Sequence, residues 1–354
     1  MTPGALVLET GEVFKGLLSG DFIQAGEVVF NTSHSGYEEI ATDPSYYNQI
    51  LVMTAPLQGN YGASSQCWQS RRIWIKAFIC LGMQSSPRER KWLKTLTENK
   101  IPVLSGVDTR SLVLRLRKKG VIWGAVTPLS QQSSVMSVIR QEQEKPKDWT
   151  KFVSVSEPEE FKGKKRRGLR IALIDFGFKK NILEELLKRS SAVCLFPSDS
   201  SSQLIQKWKP SALVLSNGPG DPKDVIEGTF LVKKLLGFKP IFGICMGHQI
   251  LAQALGGETY KLKLGHRGSN HPIKDNLLNR IYISAQNHGY VVDSNSLPEE
   301  VLVSHINLND QTVAGIFSKK YQCLSVQFHP ENRPGPTDAV VLFDYFFKNF
   351  VKKG

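Results

Sequence analysis

Cysteine is scarce: five in 354 residues, an odd number with no C-x-x-C pair, which argues against a disulfide framework and a structural zinc site. Long apolar runs are missing too. No stretch approaches the ~18 uninterrupted apolar residues of a membrane helix. The opening Met-Thr-Pro-Gly, followed by Ala5 to Leu8, has neither a basic leader nor an apolar segment of signal-peptide length. A cytoplasmic protein with no membrane partner is expected. Neither a Gly-x-x-x-x-Gly-Lys-Ser/Thr loop nor a Gly-rich dinucleotide fingerprint occurs, which is consistent with a chain that has no cofactor of its own. Acidic residues are outnumbered, 32 Asp+Glu against 45 Lys+Arg, for a net charge of +13. Such an excess invites a nucleic-acid reading, but it divides almost evenly, +7 up to Gly168 and +6 beyond. Only FKGKKRRGLR (Phe161 to Arg170) concentrates it, around Lys164, Lys165, Arg166 and Arg167. That run reads as a solvated linker, and no nucleic-acid partner is expected.

What is present is enough apolar residue, 41%, for two domains or at most three. Composition shifts once, in the polar, Pro-bearing stretch from Gln141 to Gly168. The expected division is therefore an N-terminal domain over 1–150, a basic linker over 151–168 and a second domain over 169–354. In the first domain, Ala5 to Leu8, Val13 to Gly16, Glu27 to Asn31 and Gln49 to Thr54 are short and rich in β-formers, which predicts mostly sheet. A helix is expected over Arg110 to Lys118, capped by Asp108 or Thr109. From Arg170 onward, short apolar runs alternate with segments of helical spacing as far as Leu255. That is the signature of an α/β fold with an open, mostly parallel sheet flanked by helices. Beyond Gly257 strand-like runs predict an antiparallel extension, followed by a last helix over Asp338 to Val351.

Three segments carry chemistry. In PIFGICMGHQ (Pro240 to Gln249) an apolar strand runs through Gly243-Ile-Cys245-Met-Gly247 into an amphipathic helix. This is a nucleophile elbow with cysteine at its apex: glycine on either side permits the sharp turn, and the helix N-terminus favours a thiolate. A thiolate needs a base and an orienting group. In Gln327-Phe-His329-Pro-Glu331, extended spacing puts His329 and Glu331 on one face, so the carboxylate can accept from one ring nitrogen while the other faces Cys245. Ser216-Asn-Gly218-Pro-Gly220-Asp-Pro222 follows a strand. Its glycines let backbone N–H groups approach a reacting carbonyl, and with the Met246 amide it is a candidate oxyanion hole.

With SNGPGDP, GICMGHQ and QFHPE in this order, the C-terminal half resembles the class I (triad) glutamine amidotransferases. GHRGSNHP (Gly265 to Pro272) and AQNHGY (Ala285 to Tyr290) are similar to the carbamoyl-phosphate synthase small subunits in particular. So are FNTSHSGYEEIATDPSYYNQI (Phe30 to Ile50), QGNYG (Gln58 to Gly62) and VDTRSLVLRLRKKG (Val107 to Gly120) in the first half. The resemblance implies Cys245 as nucleophile, His329 as general acid/base and Glu331 as its partner. It further implies glutamine contacts from Ser45, Gly218, Gly220, Met246, Gln249, Asn287, Gly289 and Tyr290, with no metal. It implies glutaminase activity, with ammonia passed to a large synthetase subunit that holds ATP and Mg and consumes bicarbonate. Departures from the family pattern fall at Met246, Tyr290 and Asn332-Arg333, and after QGNYG, where an acidic stretch is replaced by uncharged and then basic residues.

Overall fold

The computed structural model describes residues 1–86, 91–166 and 168–351. Arg167, one of the four bases named in the basic run, and the last three residues of the expected second domain lie outside that set. The chain forms two compact units, Met1–Pro146 and Lys147–Gly354.

In the first unit the strands are β1 (Thr2–Leu8), β2 (Val13–Ser19), β3 (Gln24–Asn31), β4 (Gln49–Met53), β5 (Leu57–Gln58), β6 (Ala77–Ile79), β7 (Gly82–Met83), β8 (Val103–Ser105) and β9 (Ile122–Pro128). Seven of them close into a barrel in the order β1-β2-β8-β6-β4-β3-β9, and β5 pairs with β7 apart from it. The predicted sheet is thus a closed one. Closure pairs every strand on both sides and removes exposed edges. The run β3-β4-β6-β8 is parallel, while β1, β2 and β9 join it antiparallel. The predicted helix spans Thr109–Lys119, and the Asp108 carboxylate caps it by accepting the Ser111 N–H at 2.9 Å. Its last turn carries Arg117, Lys118 and Lys119, placed favourably at the negative end of the helix dipole.

The second unit is built on one ten-stranded sheet. Its strands are β10 (Glu159–Lys162), β11 (Leu169–Asp175), β12 (Ser190–Pro197), β13 (Ala212–Leu215), β14 (Ile241–Ile244), β15 (Thr259–Asp275), β16 (Arg280–Val292), β17 (Leu302–Asn307), β18 (Val313–Ser318) and β19 (Cys323–Val326), in the order β10-β12-β11-β13-β14-β19-β18-β17-β15-β16. The five central strands from β12 to β19 are parallel and the rest are antiparallel. Side chains alternate along each parallel strand, so β11 sends Ile171 and Leu173 to one face and Ala172 and Ile174 to the other. The first face packs on the helices Lys180–Arg189 and Val341–Phe350; the second on Ile226–Leu235 and Met246–Ala254. Phe242 anchors the first layer against Phe343 and Phe346, with ring centroids 5.5 and 5.2 Å away.

The segment expected as a linker is largely structured within this second unit. Thr150–Val153 is a helical turn, the Val155 N–H donates to Asp175 Oδ2 at 2.8 Å, and β10 pairs antiparallel with β12. Its polar composition is that of a charged sheet edge rather than of a free tether. Apolar periodicity also failed to announce β15, whose Gly, His and Lys residues leave most positions exposed or half-exposed. Among the described residues no helix is long and apolar enough to cross a membrane.

Candidate active site

Strands β11, β13, β14 and β19 are parallel, and the catalytic candidates all sit beyond their carboxyl ends, where ligands bind in open α/β sheets. Cys245 follows β14 directly and precedes the helix Met246–Ala254, with φ 54° and ψ −103°. For a non-glycine residue this is a strained conformation of the kind found at functional sites. The turn excludes side chains on both flanks. A Cβ on Gly243 would lie 2.7 Å from the Gly247 carbonyl oxygen, and one on Gly247 would lie 2.4 Å from that of Leu215. The Cys245 N–H donates to the Val326 carbonyl at 2.8 Å and the Gly247 N–H to that of Ser216 at 2.9 Å, tying the elbow to its neighbouring strands.

His329 lies just past the end of β19, its N–H donating to the Ala285 carbonyl at 3.0 Å. Its Nδ1 is 2.7 Å from Glu331 Oε1, as the i, i+2 spacing predicted. Lys179, a residue the sequence reading did not single out, is 2% exposed and donates to the same Glu331 oxygen at 2.9 Å and to the Asn332 carbonyl at 2.7 Å. Asn181 donates to the Glu331 carbonyl. Burial opposes the ionised Glu331, but the Lys179 ammonium and the His329 imidazole outweigh it and hold its pKa well below the usual carboxylate range. Burial also opposes a charged imidazole at His329; there the Glu331 carboxylate, aided by the Cys245 thiol, prevails and drives the pKa upward. Two other histidines nearby go the opposite way. Burial pushes His248, bonded to Ser325 Oγ at 2.8 Å, down to about 3, and holds His288 well below its ordinary value. Of the three, only His329 is built to carry a proton as imidazolium.

The SNGPG loop is stitched to the same cluster. Ser216 Oγ accepts from the Phe176 N–H at 2.9 Å, and Asn217 Oδ1 from the Lys179 N–H at 3.1 Å. At Gly218 a Cβ would collide with the Phe176 carbonyl oxygen at 2.2 Å, while Gly220 has φ +93°. From the far side, Cys245 Sγ donates to the Asn287 carbonyl at 3.6 Å. Gln249 Nε2 donates to the Tyr290 carbonyl at 2.6 Å, and Gly289 faces Arg267 Nη2, 3.4 Å from where a Cβ would stand. The second unit thereby gathers Gly218, Met246, Gln249, Asn287 and Tyr290 around the elbow through these elements. Ser45 belongs to the first unit, buried in the turn Pro44–Tyr46, where its N–H donates to Asp43 Oδ1 at 2.9 Å.

Two family models match the chain: "Glutamine amidotransferase class-I" over residues 172–349 and "Carbamoyl-phosphate synthase small chain, CPSase domain" over 6–126. The carbamoyl phosphate synthase small chain of Clostridium perfringens is 43% identical over 350 residues, covering 97% of this chain and 98% of its own. The protein of the same name from Methanopyrus kandleri is 43% identical over 354 residues, 97% of each chain. That of Bacillus caldolyticus is 42% identical over 360 residues, 99% of this chain and 98% of its own. The chain belongs to the carbamoyl phosphate synthase small chain family. Its C-terminal half is a class I glutamine amidotransferase domain, and the sheet topology is the α/β architecture expected for one.

Within this small-chain scaffold, two features escaped the sequence reading for a common reason. Lys179 and Gln327 are distant from Cys245 in the chain and are of residue types that usually lie at the surface. Only the fold shows that both side chains are buried. The signal available beforehand was position: both sit at the carboxyl end of a parallel strand or in the loop just after it, and Gln327 opens the QFHPE segment. Among the described residues no group of three or more His, Cys, Asp or Glu is arranged to hold a metal ion.

Proposed function

We propose that this chain hydrolyses L-glutamine to glutamate and ammonia and delivers the ammonia to a carbamoyl-phosphate synthase large subunit. The observation that carries the reading is the buried line Lys179, Glu331, His329 beside a cysteine held in a positive-φ elbow. In this scheme the Cys245 proton passes to His329 Nε2, where the Glu331 carboxylate holds it as imidazolium, and the thiolate of the pair attacks the side-chain carbonyl carbon of glutamine. The tetrahedral oxyanion is met by backbone N–H groups at Met246 and the Gly218 loop. As the C–N bond breaks, His329 returns the proton to the departing nitrogen and ammonia leaves, with the acyl group held as a glutamyl thioester. Water then attacks the thioester with His329 as base, releasing glutamate and restoring the thiol. Glu331 remains ionised throughout and keeps the imidazole oriented.

Substrate recognition follows from atoms already committed elsewhere. The Gln249 NH2 is spent on the Tyr290 carbonyl and on Gln327, so its Oε1 is left to accept from the α-ammonium of glutamine. Gly218, Gly220, Met246, Asn287, Gly289 and Tyr290 supply backbone or side-chain groups at close range. No cofactor is needed for these steps. ATP, Mg and bicarbonate chemistry belongs to the large subunit, and a cytoplasmic heterodimer is the expected assembly.

The test is glutamate release from glutamine by the chain alone and with a large subunit, ATP and bicarbonate. Glutamine-dependent carbamoyl phosphate formation is expected, with Cys245→Ala abolishing glutamine use while ammonia-dependent synthesis persists. Glutamate without carbamoyl phosphate would assign the chain to a different synthetase. No release under any condition would make it an inactive regulatory scaffold.

A further inference from the structure

Gln327 enters the scheme above only as a partner of Gln249, yet its side chain also reaches the reacting sulfur. It follows the last residue of β19, is 1% exposed, and is fixed by its own N–H donating to the Ala314 carbonyl at 2.9 Å. Its Nε2 lies 3.8 Å from Cys245 Sγ. Amide nitrogen and oxygen are distinguished here by the network, not by shape. The Tyr290 carbonyl can only accept, so the Gln249 group facing it at 2.6 Å is the NH2. That same NH2 meets the Gln327 side chain at 3.0 Å, which makes the facing Gln327 atom Oε1. The NH2 of Gln327 is then the end turned toward sulfur.

The balance of contacts around the sulfur changes with its proton. In the thiol, S–H points to the Asn287 carbonyl at 3.6 Å. Once that proton has passed to His329, the sulfur is an anion that can only accept, and the Asn287 oxygen offers it nothing. A donor aimed at the sulfur gains strength when the charge arrives, because hydrogen bonds to ionised acceptors are shorter and roughly twice as strong as neutral ones. Such a contact favours the reactive form over the resting thiol, the condition for it to contribute to rate.

We propose that Gln327 donates an amide hydrogen bond to the Cys245 thiolate and is a catalytic residue for activating the nucleophile. The proposal rests on the reading of Cys245 as nucleophile and goes beyond it by naming the donor that holds the sulfur's charge. No covalent bond is made or broken at Gln327: the proton moves from Cys245 to His329, and the amide N–H already turned toward the sulfur donates to the thiolate.

The experiment is the pH profile of Cys245 carboxamidomethylation by iodoacetamide in the full chain, followed on the Cys245 peptide by mass spectrometry, in wild type and Gln327→Met. Removing the donor is expected to move the alkylation midpoint up by about one pH unit and to lower kcat by roughly tenfold. A midpoint and kcat equal to wild type overturn the proposal. Should Gln327→Met fail to fold, the wild type decides by itself. With 15N-glutamine labelling, the Gln327 side-chain NH2 resonances must titrate with the alkylation midpoint, and in Cys245→Ala they must not move; resonances indifferent to the thiol sink the idea. Glutamate release retained by Cys245→Ser would instead defeat the nucleophile reading, so the two failures are separable.

Discussion

At His329 an imidazole and a carboxylate share a site 3% and 0% exposed, with a lysine ammonium completing the set. Taking these charges out of water is costly, and their mutual attraction offsets that cost only because Glu331 Oε1 receives both His329 and Lys179 at 2.7 and 2.9 Å. The sign of the coupling yields a pH test. A histidine raised above its ordinary 6.5 contributes stability that is complete below that value and lost as pH rises through the folded value. Glu331, lowered from 4.5, contributes above that value and loses its contribution as pH falls. Both contributions are complete between the two ordinary values. The stability gap between wild type and His329→Asn, read by calorimetry, is expected to be widest there and to shrink steadily at alkaline pH. A gap of constant size from acid to alkaline pH would contradict the assignment of His329 as the charged partner of Glu331.

On the scale of elements, the elbow explains why a strand of four residues can present a nucleophile. β14 enters the turn with Gly243, the helix leaves it with Gly247, and the carbonyl oxygens of Gly247 and Leu215 occupy the space a methyl group would need. Gly247→Ala is expected to cost about 2 kcal/mol of stability in urea unfolding, since the obstacle is backbone and cannot swing aside. Glutaminase activity should fall further than stability, because the strain at Cys245 is relieved only by moving the sulfur. Full activity with unchanged stability would show that the turn has room the structure denies it. β10 illustrates a second device. Three of its four residues are charged, and it covers the flank of β12 as the terminal strand of the sheet.

For the whole molecule, the position of that edge strand places the division at Pro146/Lys147 and not after a linker. A fragment beginning at Leu169 lacks β10 and bares the β12 edge, so it should aggregate and melt lower than one beginning at Lys147; size-exclusion and thermal profiles of the two compare them directly. Equal solubility and melting would mean that β10 contributes nothing to the sheet. Much of this protein was legible in its residues. Alternation of apolar runs located β11 to β14 and their helices, because a parallel strand must be apolar on both faces and a covering helix on one. The elbow and the His-x-Glu pair were legible because their geometry is local: a turn of five residues and a spacing of two. What stayed hidden was long-range. β15 has few core positions, so its pairing with β16 and β17 is set by partners and not by its own pattern. The closure of the barrel depends on which edges meet, which no single strand encodes. The burial of Lys179 and Gln327 around Cys245 and His329 is likewise a tertiary decision: a charge or an amide becomes part of an active site only when the fold has removed the water from around it.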